Sequence, residues 1–253
     1  KVPLGTTILE AASRMGVRIP TLCHHPDLCV AGVCRICSVE IEGQRTLQAA
    51  CAYPVTAPIK VRTHTERVRR ARRHILDLLL SEHVGDCYAC GRNGTCELQS
   101  LAREYGVDFF RFGHQKQPIH EIDASSPSVV RDNNKCILCA SCARVCEEVV
   151  GVAAISLAKR GVERELTTPF GENFSDACIG CGSCAYVCPT GAIVLEDKSG
   201  TRRLNWPHNQ MEFKMKKCSA CGTYWAPEKQ VEYIAKTSGT PLADYDVCPD
   251  CRK

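Results

Sequence analysis

Residues 136–146 read CILCASCARVC, and residues 178–188 read CIGCGSCAYVC, with Pro189 directly after them. The two stretches start 42 residues apart and share eight of eleven positions, so they form an internal repeat. In such runs three cysteines bind one cubane iron–sulfur cluster and the fourth binds the other cluster. The repeat therefore predicts two [4Fe–4S] sites, one formed by Cys136, Cys139, Cys142 and Cys188 and the other by Cys146, Cys178, Cys181 and Cys184.

The two repeats differ in their surroundings. Glu147 follows Cys146, whereas a proline follows the last cysteine of the second repeat, and residues 149–175 form a long insertion between the repeats. These differences predict a more polar environment for the cluster bound by Cys146. Around the clusters we expect a small apolar core, formed by Ile155, Ile179, Val187, Ile193 and Val194.

Cysteine makes up 20 of the 253 residues, a share at which a disulfide scaffold or a metal protein must be considered. Disulfide scaffolds are short secreted chains, and repeated Cys-x-x-Cys spacing suits metal centres better than bridges. The formal net charge of +4 counts cysteines as neutral, although metal-bound cysteines are thiolates. The charge is therefore weak evidence for nucleic acid, and the basic run at residues 67–73 indicates a solvated or partner-facing helix end.

The N-terminal part contains a second kind of cysteine group, formed by Cys23, Cys34, Cys37 and Cys51. Thr6 or Thr7 can cap a helix that starts near Ile8, with Glu10 completing a capping box. Residues 38–43 alternate and end in a turn signal, which predicts a strand. Cys29 competes with Cys23, because Cys29-x4-Cys34-x2-Cys37 has the plant-type [2Fe–2S] spacing.

A histidine accompanies three cysteines in the next segment. Apolar residues at helical spacing over residues 66–83 predict a helix that leads to His83, and Cys87, Cys90 and Cys96 follow. By spacing alone, three thiolates and one imidazole fit a structural zinc site as well as a [4Fe–4S] cluster. The spacing leaves these two alternatives open.

The last cysteines form a pair of knuckles, Cys218-x2-Cys221 and Cys248-x2-Cys251. Gly222 allows the tight turn of the first knuckle. Four tetrahedral sulfur ligands suit zinc or a single iron, and a [2Fe–2S] cluster is a third alternative. We favour structural zinc in a small four-cysteine ribbon, preceded by a hydrophilic linker at residues 196–209.

Longer stretches around these motifs resemble a known family. VPLGTTILEAA at residues 2–12, IPTLC at 19–23 and AGVCRICSVE at 31–40 resemble the plant-type ferredoxin domain of the respiratory complex I large peripheral subunit and its hydrogenase relatives. LLLSEHVGDCYACGRNGTCELQSLAREYGV at residues 78–107 resembles the [4Fe–4S] motif of the same subunits, with one histidine and three cysteines. The resemblance runs from residue 1 to about residue 195.

This resemblance implies Cys23, rather than Cys29, as the first [2Fe–2S] ligand, and a [4Fe–4S] cluster on His83. It also implies that about ten residues of an N-terminal β-hairpin precede Lys1 in the natural protein. The expected fold is α+β with four parts. These are a plant-type [2Fe–2S] ferredoxin β-grasp domain (1–64), a helical His-ligated [4Fe–4S] domain (65–125), a bacterial twin [4Fe–4S] ferredoxin domain (126–200), and a linker with a four-cysteine metal-binding domain (201–253).

The motifs predict electron transport without catalytic residues, because the sequence shows neither a GxGxxG turn after a strand, nor a P-loop, nor a nucleophile–base pair. The resemblance implies the small diaphorase-module subunit of NAD(P)-linked soluble hydrogenases, including bifurcating ones. Its expected partners are a flavoprotein NAD(P)H-oxidoreductase subunit, a hydrogenase catalytic subunit and, in some assemblies, ferredoxin. A formate dehydrogenase relay subunit and a complex I peripheral fragment are the alternatives. The sequence has no signal peptide and no apolar run that could cross a bilayer, which predicts a cytoplasmic chain without membrane insertion.

Overall fold

The computed structural model describes residues 2–83, 87–107, 123–126, 129–131, 133–168, 177–206 and 209–252. All twenty cysteines and His83 lie within these ranges. The predicted insertion at 149–175 and the predicted linker at 196–209 lie partly outside them, at residues 169–175 and 207–208. The chain divides into two compact units. The first unit comprises residues 1–121, 134–141 and 189–191, and the second comprises residues 122–133, 142–188 and 192–253.

The first unit begins with helix α1 (Ile8–Arg14), and its N-terminus confirms the predicted capping box. The Glu10 backbone N–H donates to the Thr7 hydroxyl oxygen at 3.2 Å. The Thr7 backbone N–H in turn donates to the Glu10 carboxylate at 2.8 Å. Thr7 is therefore the N-cap, and these bonds satisfy two backbone donors that a helix start otherwise leaves without partners.

Helix α1 packs on a small antiparallel sheet with the strand order β2–β1–β3. The strands are β1 (Ser38–Ile41), β2 (Gln48–Ala49) and β3 (Val61–Arg62). Strand β1 confirms the strand predicted after Cys37. The apolar side chains of α1 and β1 form one core with two of the N-terminal cysteines, and its members include Ile8, Leu9, Val39, Ile41, Cys37 and Cys51.

Two helices form the second core of this unit. Helix α2 (Glu66–Glu82) is capped at its N-terminus by the Thr65 hydroxyl. It leads to His83, its C-cap residue, as the apolar spacing predicted. Helix α3 (Glu97–Tyr105) starts directly after Cys96 and ends at Gly106. The core between these helices includes Leu22, Ile36, Leu76, Leu80, Leu98, Leu101 and Tyr105.

The second unit is built from hairpins, short helices and one larger sheet. The hairpins are β4 (Asp123–Ser126) with β5 (Val129–Arg131), and β6 (Ser156–Ala158) with β7 (Glu165–Thr167). Helix α4 (Ser141–Arg144) runs into a π-helical turn at Val145–Val149, and helix α5 (Ser183–Tyr186) lies in the second repeat. The larger sheet consists of β8 (Val194–Lys198), β9 (Thr201–Trp206), β10 (Asn209–Lys217) and β11 (Tyr224–Pro227), followed by helix α6 (Glu228–Ser238).

The predicted linker at residues 196–209 is wrong for its described part, which belongs to strands β8, β9 and β10 of this antiparallel sheet. Its charged residues pair across neighbouring strands: Arg202 with Asp197 and Arg203 with Glu212, each at 2.7 Å. The predicted core is also wrong at Val194, which lies on edge strand β8 and is 40% exposed. Ile155, Ile179 and Ile193 are buried as predicted, whereas Val187 is half-buried. Within the described residues, no helix combines the length and the apolar character that a membrane span requires.

Candidate metal centres

The structure brings the N-terminal group of cysteines together beside the sheet of the first unit. Cys23, Cys37 and Cys51 are each 1% exposed, and the Cys37 and Cys51 sulfurs lie 3.4 Å apart. The hydrogen bond between these thiols lowers the pKa of Cys37 to about 7. A hydrogen bond with Cys23 raises the pKa of Cys34. The four thiols therefore form one interacting group, in which three cysteines are buried and Cys34 is half-buried. Thiolates can occupy such a position when a metal compensates their charge.

Cys29 differs from the other cysteines of this segment, because its side chain is exposed. Cys23 lies in the buried group and forms a hydrogen bond with Cys34, one of the two cysteines of the Cys34-x2-Cys37 pair. The geometry therefore supports Cys23 as the first ligand, although the chain spacing alone favours Cys29.

Replacing Cys23 by alanine is expected to abolish the EPR signal of the reduced [2Fe–2S] cluster, since one of the four iron–thiolate bonds to the protein is lost. Cys29→Ala is the matched control and should keep the full signal, because this side chain is exposed. EPR of the dithionite-reduced protein measures both. A signal that survives in Cys23→Ala and disappears in Cys29→Ala would reverse the assignment.

The four predicted ligands of the histidine-containing site line one pocket. His83 caps the C-terminus of α2 and Cys96 caps the N-terminus of α3, so the two helices fix both ends of the ligand set. Cys87 and Cys90 come from the segment between these helices. The rest of the pocket wall is polar and consists of Arg92, Asn93, Gln99, Lys135 and Thr190.

Gln99, whose role sequence reasoning missed, stabilises the loop before Cys96. It is 5% exposed, and its amide group donates to the Asn93 side-chain oxygen at 3.0 Å. Its side-chain oxygen accepts the Gly94 backbone N–H at 2.8 Å. These bonds fix the loop that carries Cys90 and Cys96, which is the usual task of residues behind a metal ligand.

A second pocket contains cysteines from both repeats. Cys146 of the first repeat lies together with Cys178, Cys181 and Cys184 of the second, and apolar residues including Ile155, Ile179 and Leu204 form most of the remaining wall. The more polar environment predicted for Cys146 is therefore wrong, because Glu147 is exposed. Burial raises the pKa of Cys146, and burial also raises the pKa of Cys178 to about 11. The shared pocket groups these four cysteines as the spacing of the repeats predicts, and their binding of one cluster stays a prediction. The other set, Cys136, Cys139, Cys142 and Cys188, stays a prediction.

Backbone groups surround the Cys146 sulfur. The Ala154 N–H donates to it at 3.3 Å, and the backbone of Ile155 and Ala153 also favours its thiolate. Gly180 lies against the Phe213 ring, and a Cβ there would come within 2.5 Å of the Phe213 Cγ atom. This glycine has a φ of +69°, so both its backbone and its close contact exclude a side chain.

A serine accompanies one cysteine in each repeat. The Cys139 sulfur lies 3.5 Å from the Ser141 hydroxyl, and the Cys181 sulfur lies 3.4 Å from the Ser183 hydroxyl. The repeat itself contained this signal, because the serine is among the eight shared positions. A hydroxyl at this place can donate to the thiolate of a bound cluster.

The C-terminal cysteines have the geometry of a compact site. Their four sulfur atoms lie within 4.8 Å of one another, and the Cys221 and Cys248 sulfurs are 3.8 Å apart. Sulfurs of a tetrahedral site with metal–sulfur bonds of about 2.3 Å are about 3.8 Å apart. The ligand set therefore fits a single four-coordinate ion.

Backbone N–H groups prepare this site for a thiolate. The N–H groups of Cys248 and Cys221 donate to the Cys218 sulfur at 3.3 and 3.5 Å. These bonds lower the pKa of Cys218 to about 6. Gly222, with a φ of +74°, closes the first knuckle through its N–H bond to the Cys218 carbonyl. The N–H groups therefore favour the thiolate form of Cys218, which is the form that binds a metal.

Four known families match successive parts of the chain. Residues 1–66 match a 2Fe-2S iron-sulfur cluster binding domain, and residues 72–111 match the NADH-ubiquinone oxidoreductase-G iron-sulfur binding region. Residues 126–194 match the ferredoxin-like domain of NADH-quinone oxidoreductase subunit 3, and residues 177–223 match a 4Fe-4S dicluster domain.

A solved structure covers more of the chain. The NAD+-reducing [NiFe]-hydrogenase in its H2-reduced state contains a chain that is 32% identical, with a TM-score of 0.66. The match covers 91% of the present chain and 88% of the other chain. The chain belongs to the family of iron–sulfur subunits that complex I and NAD(P)-linked hydrogenases share. The resemblance seen in the sequence covers residues 1–195, which are 77% of the chain. Because the structural match covers 91% of the chain, it also includes part of the segment after residue 195.

Two curated relatives are longer than this chain. The NADH-ubiquinone oxidoreductase 75 kDa subunit of Reclinomonas americana is 38% identical over 66% of this chain. NADP-reducing hydrogenase subunit HndD of Solidesulfovibrio fructosivorans is 41% identical over 76% of this chain. The chain spans 24% and 34% of the length of these two relatives. The part of the chain that is similar to these relatives contains 2Fe-2S and 4Fe-4S binding regions.

Proposed function

We propose that this iron–sulfur subunit carries electrons between a flavoprotein NAD(P)H-oxidoreductase subunit and a hydrogenase catalytic subunit, with ferredoxin as a further partner in some assemblies. The observation that carries the proposal is the structural match to a chain of the NAD+-reducing [NiFe]-hydrogenase over 88% of that chain. The clusters supply one-electron chemistry when bound. The chain itself positions them and sets their surroundings through burial, hydrogen bonds and ligand type.

The proposed cofactors are one [2Fe–2S] cluster, three [4Fe–4S] clusters and one zinc ion. We assign the first cluster to a β-grasp domain at residues 1–64 and the histidine-ligated cluster to residues 65–125. Two cubanes belong to a twin-cluster domain at residues 126–200, and the zinc belongs to residues 201–253. Burial and mutual contact of the thiols support the first group, and shared pockets support the groups of His83 and Cys146.

The spread of the sulfur atoms supports zinc at the C-terminal site. Among the described residues, the C-terminal cysteines are the group whose ligand atoms all lie within 4.8 Å of one another. A cluster of two or four irons needs a wider ligand set, because each iron takes its own protein ligand or pair of ligands. A single iron ion remains the alternative, and metal analysis distinguishes the two.

The relatives support a second assembly. The curated matches include NADH-ubiquinone oxidoreductase subunits, among them the 75 kDa subunit of Reclinomonas americana. The chain can therefore also be a peripheral-arm fragment of a complex I-like enzyme. In either assembly its clusters would relay electrons from a nucleotide-oxidising flavoprotein. The two proposals differ in the acceptor.

Purification of the affinity-tagged chain from its natural source, under anaerobic conditions, tests the proposal. We expect a flavoprotein and a nickel- or iron-containing hydrogenase subunit to co-purify, and we expect both NADH or NADPH and H2 to reduce the clusters, as seen by EPR. A quinone-reducing membrane assembly would replace the proposal with the complex I alternative. A molybdenum- or tungsten-containing partner would replace it with a formate dehydrogenase relay.

A further inference from the structure

A positive charge is buried in the first unit, where helix α2 meets strand β1 and helix α3. Arg72, on α2, is 0% exposed. Its guanidinium donates to the Ser38 carbonyl at 2.9 Å and to the Tyr105 hydroxyl at 2.7 Å. The Tyr105 ring also lies 5.9 Å from the guanidinium carbon, which is within the range of a cation–π contact.

No carboxylate among the described residues forms an ion pair with Arg72. Its hydrogen-bond acceptors, the Ser38 carbonyl and the Tyr105 hydroxyl, are neutral. Its Nε atom is buried and has no hydrogen-bond acceptor among the described residues. Arginine does not lose its proton in proteins, and an unpaired buried charge is strongly destabilising. The site therefore calls for a negative charge that the described side chains do not provide.

Arg72 contacts elements that carry ligands of two predicted clusters. Ser38 directly follows Cys37, and Tyr105 belongs to helix α3, which Cys96 caps. Ile36, between Cys34 and Cys37, packs in the same core as Cys96. The guanidinium thus lies between the backbone of the [2Fe–2S] group and the helix that starts at the histidine-ligated group.

We propose that Arg72 is the counter-charge of the [2Fe–2S] cluster and keeps its reduction potential above the value that the four thiolates alone would give. A cluster bound by four thiolates is an anion and gains a further negative charge on reduction. A fixed cation in a low-dielectric core stabilises the reduced form more than the oxidised form. The proposal rests on the cluster assignment of the proposed function, but it does not depend on which partners the chain has.

Substitutions of Arg72 separate its charge from its hydrogen bonds. Arg72→Gln and Arg72→Met remove the charge, Arg72→Lys keeps it, and Tyr105→Phe removes one acceptor while the charge stays. Arg70→Gln is the matched control, because Arg70 is exposed on the same helix and its loss changes the net charge equally. The readout is the midpoint potential of the [2Fe–2S] EPR signal in a redox titration of the full chain. Iron and sulfide content report on loading.

The neutral variants are expected to lower the equilibrium constant for one-electron reduction about tenfold, a shift of about 59 mV to more negative potential. A Coulomb interaction over a distance on the order of 10 Å, at an effective dielectric constant of about 20, has this size. Arg72→Lys, Tyr105→Phe and Arg70→Gln should stay close to the unchanged protein. Neutral variants that lose the [2Fe–2S] cluster while Arg72→Lys retains it would also support a counter-charge.

Two results would overturn the proposal. One is an unchanged potential in loaded Arg72→Gln or Arg72→Met. The other is a loss of the cluster or a shift in potential that Arg72→Lys or Tyr105→Phe reproduces, because this would show that the hydrogen-bond geometry and not the charge is responsible. The potential is measured on the chain itself, so a failed search for hydrogenase partners would leave this test intact.

Discussion

Cys146→Ala is expected to remove the [4Fe–4S] cluster of the second repeat and to leave the cluster of its own repeat in place. Cys146 lies in one pocket with Cys178, Cys181 and Cys184, and backbone N–H groups from Ala154 and its neighbours surround its sulfur. The loss of one ligand from a cubane with four protein ligands should reduce the iron content by roughly four atoms per chain. Iron analysis and EPR of the reduced protein measure this effect.

Paired variants make the crossed assignment testable. Cys146→Ala and Cys181→Ala should perturb the same EPR component, and the double variant should lose no more iron than either single variant. Combining Cys146→Ala with Cys139→Ala should instead remove roughly eight iron atoms, since two cubanes are affected. If Cys146→Ala and Cys139→Ala proved to share one component, each repeat would bind its own cluster and the crossed set would be wrong.

Cys248→Ala is expected to release the C-terminal metal and to unfold the segment around it. Structural zinc contributes on the order of 10 kcal/mol or more to the folding of small metal-binding domains. Cys218 follows strand β10 directly, and the Cys248 backbone N–H donates to its sulfur, so the site closes the end of the sheet. Zinc content and limited proteolysis are the measurements, and Ser219→Ala, an exposed change between two ligands, is the control.

The unfolding should also affect the cluster of the second repeat. Phe213 of β10 covers Gly180, and the Tyr233 hydroxyl of α6 donates to the Val150 carbonyl at 3.2 Å. When these two contacts are lost, oxygen should reach the cluster predicted at Cys146 more easily. The visible absorption of this cluster should then decay faster in air. A Cys248→Ala protein that keeps the resistance to protease and air of the unchanged chain would show that the four cysteines do not support this sheet.

The features that the sequence predicted correctly are local in the chain. The capping box joins Thr7 to Glu10, three residues away, and the apolar spacing of α2 repeats within single turns. The grouping of Cys146 with the cysteines of the second repeat has a different basis. A cubane accepts cysteines only at a narrow range of spacings, so the motif implies the geometry even between distant positions.

The sheet of residues 194–217 escaped prediction because its charges belong to pairs that only the folded chain brings together. Arg202 and Asp197 face each other across β9 and β8, and Arg203 faces Glu212 across β9 and β10. In the sequence alone, these charged residues indicate a hydrophilic linker. Val194 was also predicted wrongly, since it is the first residue of strand β8 and its side chain is 40% exposed.

The choice between Cys23 and Cys29 shows the limit of spacing as a criterion. The interval from Cys29 to Cys34 matches plant-type ferredoxins, but a loop can reach a ligand position from several points in the chain. Only tertiary packing places Cys23 in the buried group and leaves Cys29 exposed.

The position of Cys146 in one pocket with cysteines of the second repeat has a consequence for the length of the chain between the repeats. Cys178 is 32 positions further along, and the predicted cluster would join it to Cys146. The entropy lost in closing a flexible loop grows only logarithmically with its length, and each doubling costs about 0.6 kcal/mol. Insertions between the two repeats should therefore be tolerated, whereas a single added residue inside either eleven-residue run would move a sulfur away from its iron. Length variation among related chains is thus expected to concentrate between the two cysteine runs.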